Sequence, residues 1–90
     1  MKRAMFIKRV NIGAGDALLY KLSDPVKVGD IETSDVIVSA VTVPIGERGE
    51  KVSVFAADEE GTILSYEAVA EKGGTLDHEE VLVDLGYEAI

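Results

Sequence analysis

Residues 35–43 constrain the fold of this chain more than any other segment. Val36, Ile37, Val38, Val41 and Val43 are β-branched, and the residues among them are small. Such a run suits a pleated surface and calls for apolar cover on both of its faces. It is expected to be a central strand, ended by Pro44, whose missing N–H cannot join a ladder. Gly46-Glu47-Arg48-Gly49 then makes a tight connection to residues 51–57, where Val52, Val54 and Ala56 alternate with Lys51, Ser53 and Phe55. Two strands joined by so short a polar loop predict an antiparallel hairpin.

The flanking segments follow the same pattern of apolar stretches and turn signals. Residues 5–12 read as a first strand and residues 17–22 as a second. Between them Asn11-Ile12-Gly13-Ala14-Gly15-Asp16 is a turn, because glycine tolerates positive φ. Ser23-Asp24-Pro25 opens a loop expected to run to Ser34-Asp35. Asp58-Glu59-Glu60-Gly61 is a second tight turn, and Thr62-Ile63-Leu64 a short returning strand. Ser65 is placed to cap a short helix over residues 66–71, ended by Gly73-Gly74. A clearer helix follows over residues 77–85. Asp77 caps it, Glu80 sits at capping-box spacing, and Asp77, Glu79 and Glu80 suit the positive end of the helix dipole. His78, Val81, Leu82 and Leu85 share one stripe, and Gly86 fits the stop position.

The expected architecture is therefore α+β: an antiparallel sheet of four to five strands with one or two short helices packed on one face. With 90 residues and no internal repeat, residues 1–90 form one compact domain with room for one modest core. The chain has no Cys, which excludes disulfides, thiolate catalysis, Fe–S clusters and Cys-type zinc sites. The apolar stretch after Lys2 and Arg3 is too short for a signal peptide, and residues 36–46 are too few and too polar to span a membrane. A soluble cytoplasmic protein is expected.

Charge narrows the class of partner. The net charge is −8, but residues 1–9 carry Lys2, Arg3, Lys8 and Arg9 and no acid, whereas residues 10–90 carry 5 basic and 17 acidic side chains. Such a field repels phosphates, so direct nucleic-acid binding is disfavoured. Strict alternation puts Arg3, Met5, Ile7 and Arg9 on one side of the first strand, and Lys2, Ala4, Phe6, Lys8 and Val10 on the other. These cations suit an edge strand, where basic side chains block unwanted pairing; around Phe6 they alternatively suit a small patch for nucleic acid or an acidic peptide.

No motif assembles a catalytic set. Gly13-Ala14-Gly15-Asp16 begins like a dinucleotide-binding loop, but Leu18 stands where the third glycine belongs and a strand follows instead of a helix. In a calcium loop built on Asp58-Glu59-Glu60-Gly61, position one would fall on Ala56, which has no ligand oxygen. His78 is the single histidine, and Leu82 stands where a second zinc-binding histidine would be needed. No nucleophile is paired with it, and it reads as a structural or surface histidine. Most carboxylates lie in turns or on a helix surface, where they stay solvated.

Three stretches carry a resemblance. They are Gly13-Ala14-Gly15-Asp16-Ala17-Leu18-Leu19-Tyr20-Lys21-Leu22-Ser23-Asp24-Pro25, then Val36-Ile37-Val38-Ser39-Ala40-Val41, then Phe55-Ala56-Ala57-Asp58-Glu59-Glu60-Gly61 with Gly74-Thr75-Leu76-Asp77-His78-Glu79-Glu80 and Leu85-Gly86-Tyr87. In these the chain resembles small acidic uncharacterised proteins of actinobacterial bacteriophages. It departs from their pattern at Ala56, commonly Pro there, and at Tyr66, commonly Trp. The resemblance implies a phage product acting in the bacterial host cytoplasm. It implies no activity and carries over no functional residue.

The functional expectation is a non-enzymatic protein-interaction module. Its partner is a host protein, a phage protein or a second copy of itself, and it needs no cofactor, metal or membrane. Strand 36–43 and its neighbours offer one route to a dimer by edge pairing. The candidate interaction surface is acidic: Asp58, Glu59, Glu60, Glu79, Glu80 and Asp84. Two alternatives are an acidic DNA-mimic decoy, which needs carboxylates in a regular line, and a small-ligand or nucleotide binder.

Overall fold

The side chains of Val36, Ile37 and Val38 are wholly buried in the computed structural model of the chain, which describes residues 2–13, 15–43 and 49–90. They sit on β3 (Ile31–Val43), which pairs antiparallel with β2 (Asp16–Val28) on one side and β4 (Gly49–Ala57) on the other. Beyond β4 lies β5 (Ala70–Gly73), and beyond β2 lies β1 (Lys2–Val10). A last strand, β6 (Tyr87–Ala89), runs parallel to β1 and closes the order β5-β4-β3-β2-β1-β6. The fold is α+β as expected, but the sheet has six strands instead of four to five, is mixed instead of wholly antiparallel because α1 returns the chain to β1 in the parallel sense, and curls into a half-barrel. The single described helix is α1 (His78–Asp84). Pro44 and most of the Gly46-Glu47-Arg48-Gly49 turn lie outside the described residues, although the hairpin they join is antiparallel as predicted.

The sheet has two apolar faces, so both sides of β3 are covered, and even Asp35 and Ser39 are buried beside Ile37. On one face Val36, Val38 and Ala40 pack with Tyr20, Leu22, Val52, Val54 and Ala4 under Val81 and Leu82 of α1. On the other, Ile37 joins Ala17, Leu19 and Ala57, and Val10, Ile12 and Ile63 pack against them. The loop after β4 covers this second face, with Gly61 against Val10 and Leu19. Each fully buried aliphatic side chain contributes about 1.5–3 kcal/mol by leaving water.

Four sequence expectations need correction. First, residues 23–34 are not a loop. β2 continues through Pro25 to Val28, and β3 begins at Ile31. The ladder absorbs the proline because its register shifts between Lys21 and Val26, where β2 carries extra residues opposite β3. Second, residues 66–71 are not helical. Ser65 Oγ accepts from the Glu67 N–H at 3.1 Å in a local turn, and the chain then pairs with β4 as β5. An exposed β4 edge gains more from a partner strand than a lone helical turn gains from its own bonds. Third, Thr62-Ile63-Leu64 contributes one isolated bridge, Ala57 to Ile63, instead of a strand. Fourth, β3 pairs with both of its neighbours from Asp35 to Ala40, so the middle of the apolar run offers no edge to a second copy.

The helix start behaves largely as its sequence suggests. Asp77 is the N-cap and accepts from the Glu79 N–H at 2.9 Å. The reciprocal half of the capping box is absent: the Asp77 N–H donates to Thr75 Oγ1, and Glu80 accepts from the Thr75 hydroxyl. Gly86, at φ 91°, then turns the chain from α1 into β6 in a conformation glycine adopts without cost.

Candidate interaction surface

The six acidic residues singled out from the sequence fall into two separate groups. Asp58, Glu59 and Glu60 lie on the loop that covers Leu19 and Ile37, whereas Glu79, Glu80 and Asp84 lie on α1, on the opposite face of the sheet. Asp58 is committed to its own turn, with Oδ1 accepting from the Glu60 and Thr62 N–H groups at 3.0 and 2.9 Å. Asp84 and Glu80 converge on Lys72 at 3.0 and 4.0 Å. The hydrogen bond from Lys72 to Asp84 holds its ammonium above the usual lysine range. Much of this acidity is therefore spent within the fold.

The basic N-terminal strand is arranged differently. Phe6 stands opposite Tyr20, but Lys8 stands opposite Leu19, so Ile7 is an extra residue with no partner in β2. This bulge reverses the alternation downstream of it. Arg3, Met5, Lys8 and Val10 share the loop-covered face, and Ala4, Phe6 and Arg9 share the helix face. The strict alternation read from the sequence is thus corrected at Lys8, Arg9 and Val10.

The other edge of β1 is only partly covered. β6 pairs with Lys2, Arg3 and Ala4, and the Ile90 N–H donates to the Ala4 carbonyl at 2.9 Å. Among the described residues no strand continues that pairing past Ala4. Ala4 turns its carbonyl to this edge, so alternation turns Met5 toward β2 and Phe6 outward. Met5, Phe6 and Ile7 are 46%, 47% and 44% exposed, an unusual run of apolar surface on an open edge. Phe6 rests edge-on against Tyr20 with ring centroids 5.9 Å apart. A shallow groove beside Met5 is bounded by Arg3, Lys21, Leu22, Ser23 and Ile90.

The far end of the same edge is fixed by a polar cluster. Arg9 pairs with Asp16, and His78 Nε2 donates to the Asp16 carbonyl at 2.8 Å. A carbonyl oxygen only accepts, so Nε2 carries the proton. Burial first, and the Arg9 charge second, lower the His78 pKa, while Asp77 opposes the change. The histidine ties the start of α1 to the first residue of β2, so of the structural and surface roles read from the sequence it takes the structural one. Gly15 supports the turn before β2: a Cβ there would overlap the Ala40 carbonyl and Val41 Cγ1. Sequence reasoning marked β1 as an edge strand but missed β6 and the bulge. The signal for the open segment was the apolar triplet Met5-Phe6-Ile7 between cations.

The chain belongs to a family of unknown function, DUF7572, whose model matches residues 14–88. No curated protein and no solved structure matches it.

Proposed function

We propose that this member of the family is a non-enzymatic protein-interaction module that receives an extended segment of its partner as an added strand along residues 6–10 of β1. The observation that carries this reading is the unfinished edge: β6 stops at Ala4, and the next residues expose Phe6 and Ile7 instead of burying them. An added strand gains main-chain hydrogen bonds from such an edge and side-chain contacts from its apolar residues. The bulge at Ile7 and the flanking cations resist indiscriminate pairing, so a partner must fit a short, bent segment.

The division of the acids between two faces supports this reading over a nucleic-acid decoy, which needs a continuous line of negative charge. The depression lined by Arg9, Asn11, Gly15 and Asp16 gives less support to an anionic-ligand site, because Arg9 is already paired with Asp16. The resemblance to phage proteins supplies the proposed setting, the cytoplasm of a bacterial host. No described helix is long and apolar enough to cross a membrane.

The test is selection of a random short-peptide library on the immobilised chain, followed by amide-shift mapping of the peptides recovered. Peptides that shift residues 6–10 are expected. Recovery only of peptides that map to α1 or to the loop after β4 overturns the reading.

A further inference from the structure

We infer that the segment received by β1 is acidic, with carboxylates directed at Lys8 and apolar side chains directed at Phe6. This rests on the strand-addition reading and adds the chemistry of the partner.

Three candidate occupants differ in charge. The first is a second copy of the chain. A two-fold antiparallel pairing of residues 6–10 about the middle of this segment would bring Lys8 opposite Lys8 of the copy, and like charges directly opposite one another destabilise a sheet. The second is a neutral or basic segment. It would leave Lys8 without a counter-charge, or would repel it. The third is an acidic segment, which answers the charges already present. Lys8 and Arg3 form no ion pair among the described residues, in contrast to Lys21, Lys51 and Lys72, each matched to a carboxylate. Arg9 does have a partner in Asp16. The bulge at Ile7 is what puts Lys8 on the same face as Arg3 and Met5, so the face presents an apolar residue between two cations.

The arrangement also sets the pattern of the guest. A strand beside residues 6–10 alternates its side chains between the two faces. On the loop-covered face it meets Lys8 and then Val10, and on the helix face it meets Phe6 and then Arg9, whose charge Asp16 already answers. Carboxylates and apolar side chains at alternate positions satisfy both. The complementarity is local, because the remainder of the chain is strongly negative. It selects the partner by short-range pairing and not by long-range attraction.

The experiment uses the full chain and three blocked peptides of equal length, alternating Val with Glu, with Lys or with Thr. Amide shifts give both site and affinity. The Val/Glu peptide is expected to shift residues 6–10 and to bind about tenfold more tightly than the Val/Thr peptide. The exposed substitution Lys8→Glu should reverse the order, so that Val/Lys binds best. If Val/Thr or Val/Lys binds the same edge of the unmodified chain as tightly as Val/Glu, the charge inference falls and strand addition stands. If no peptide shifts residues 6–10, both fall. If those amides shift with protein concentration alone, a second copy occupies the edge and the inference is overturned.

Discussion

His78 and Asp16 are 62 residues apart in sequence, yet the imidazole Nε2 of one donates to the main-chain carbonyl of the other at 2.8 Å. This bond fastens the first residue of α1 to the first residue of β2. The surrounding charges are Arg9, which pairs with Asp16, the Asp16 carboxylate 3.9 Å from the ring, and Asp77. Burial and Arg9 lower the histidine's pKa below its ordinary 6.5. Its contribution to stability is present above that ordinary value and is lost as the pH falls through the folded-state value. Urea midpoints of the wild type and His78→Gln at about pH 7.5 and pH 5 test this, since glutamine does not titrate there. The wild type should lose more stability on acidification than the variant. Equal losses would contradict the assignment.

Tyr87 makes the matching bond at the other end of α1. Its buried hydroxyl donates to the Asp24 carbonyl at 2.7 Å, and Lys2 lies over its ring 4.5 Å from the centroid. Tyr87→Phe keeps the ring and removes the bond, so a loss of about 1 kcal/mol is expected. The urea midpoint gives this directly, and an unchanged midpoint would show that the bond contributes nothing.

The two acids of the apparent capping box should behave differently. Asp77→Ala removes the acceptor for the Glu79 N–H and should cost about 1 kcal/mol. Glu80→Gln should cost less than about 0.5 kcal/mol, because Glu80 is exposed and bonds to Thr75 and Lys72 instead of the cap backbone. Thermal unfolding of both variants separates the cases. Equal losses would restore the reciprocal box.

Two glycines of one turn offer a similar contrast. Gly13 and Gly15 both have positive φ, at 83° and 62°, but only Gly15 abuts β3. Alanine at Gly13 meets open space and should cost about 1 kcal/mol from backbone strain alone. At Gly15 it must also displace the Ala40 carbonyl or Val41, so the loss should be clearly larger. Equal denaturation midpoints for the two variants would contradict the close approach.

Features that rest on one local signal were legible in the sequence. β3 was legible because its β-branched run suits burial on both faces, and the start of α1 because Asp77, Val81 and Leu82 stand at cap and core positions. Features decided by distant partners were not. Tyr87-Glu88-Ala89 is too short to show a period, and it becomes a strand because β1 lies beside it. Residues 66–71 had a credible helix cap, but the β4 edge recruits Ala70–Gly73. Pro25 signalled the end of a strand, and the register shift after Lys21 accommodates it. The candidate site was half legible. The cations and the apolar triplet marked an edge, while the bulge at Ile7, which sets the face of each side chain, leaves no trace in residue type.

The open edge of β1 is the central claim, and amide hydrogen exchange of the free protein at low concentration tests it most directly. Met5 faces Lys21 within the β1–β2 ladder, whereas Phe6 turns outward past the end of β6. The Met5 amide should be protected together with the β3 core, and the Phe6 amide should exchange at the rate of an exposed group. Protection of Phe6 equal to that of Met5 would mean that the edge is already covered, and would contradict the account.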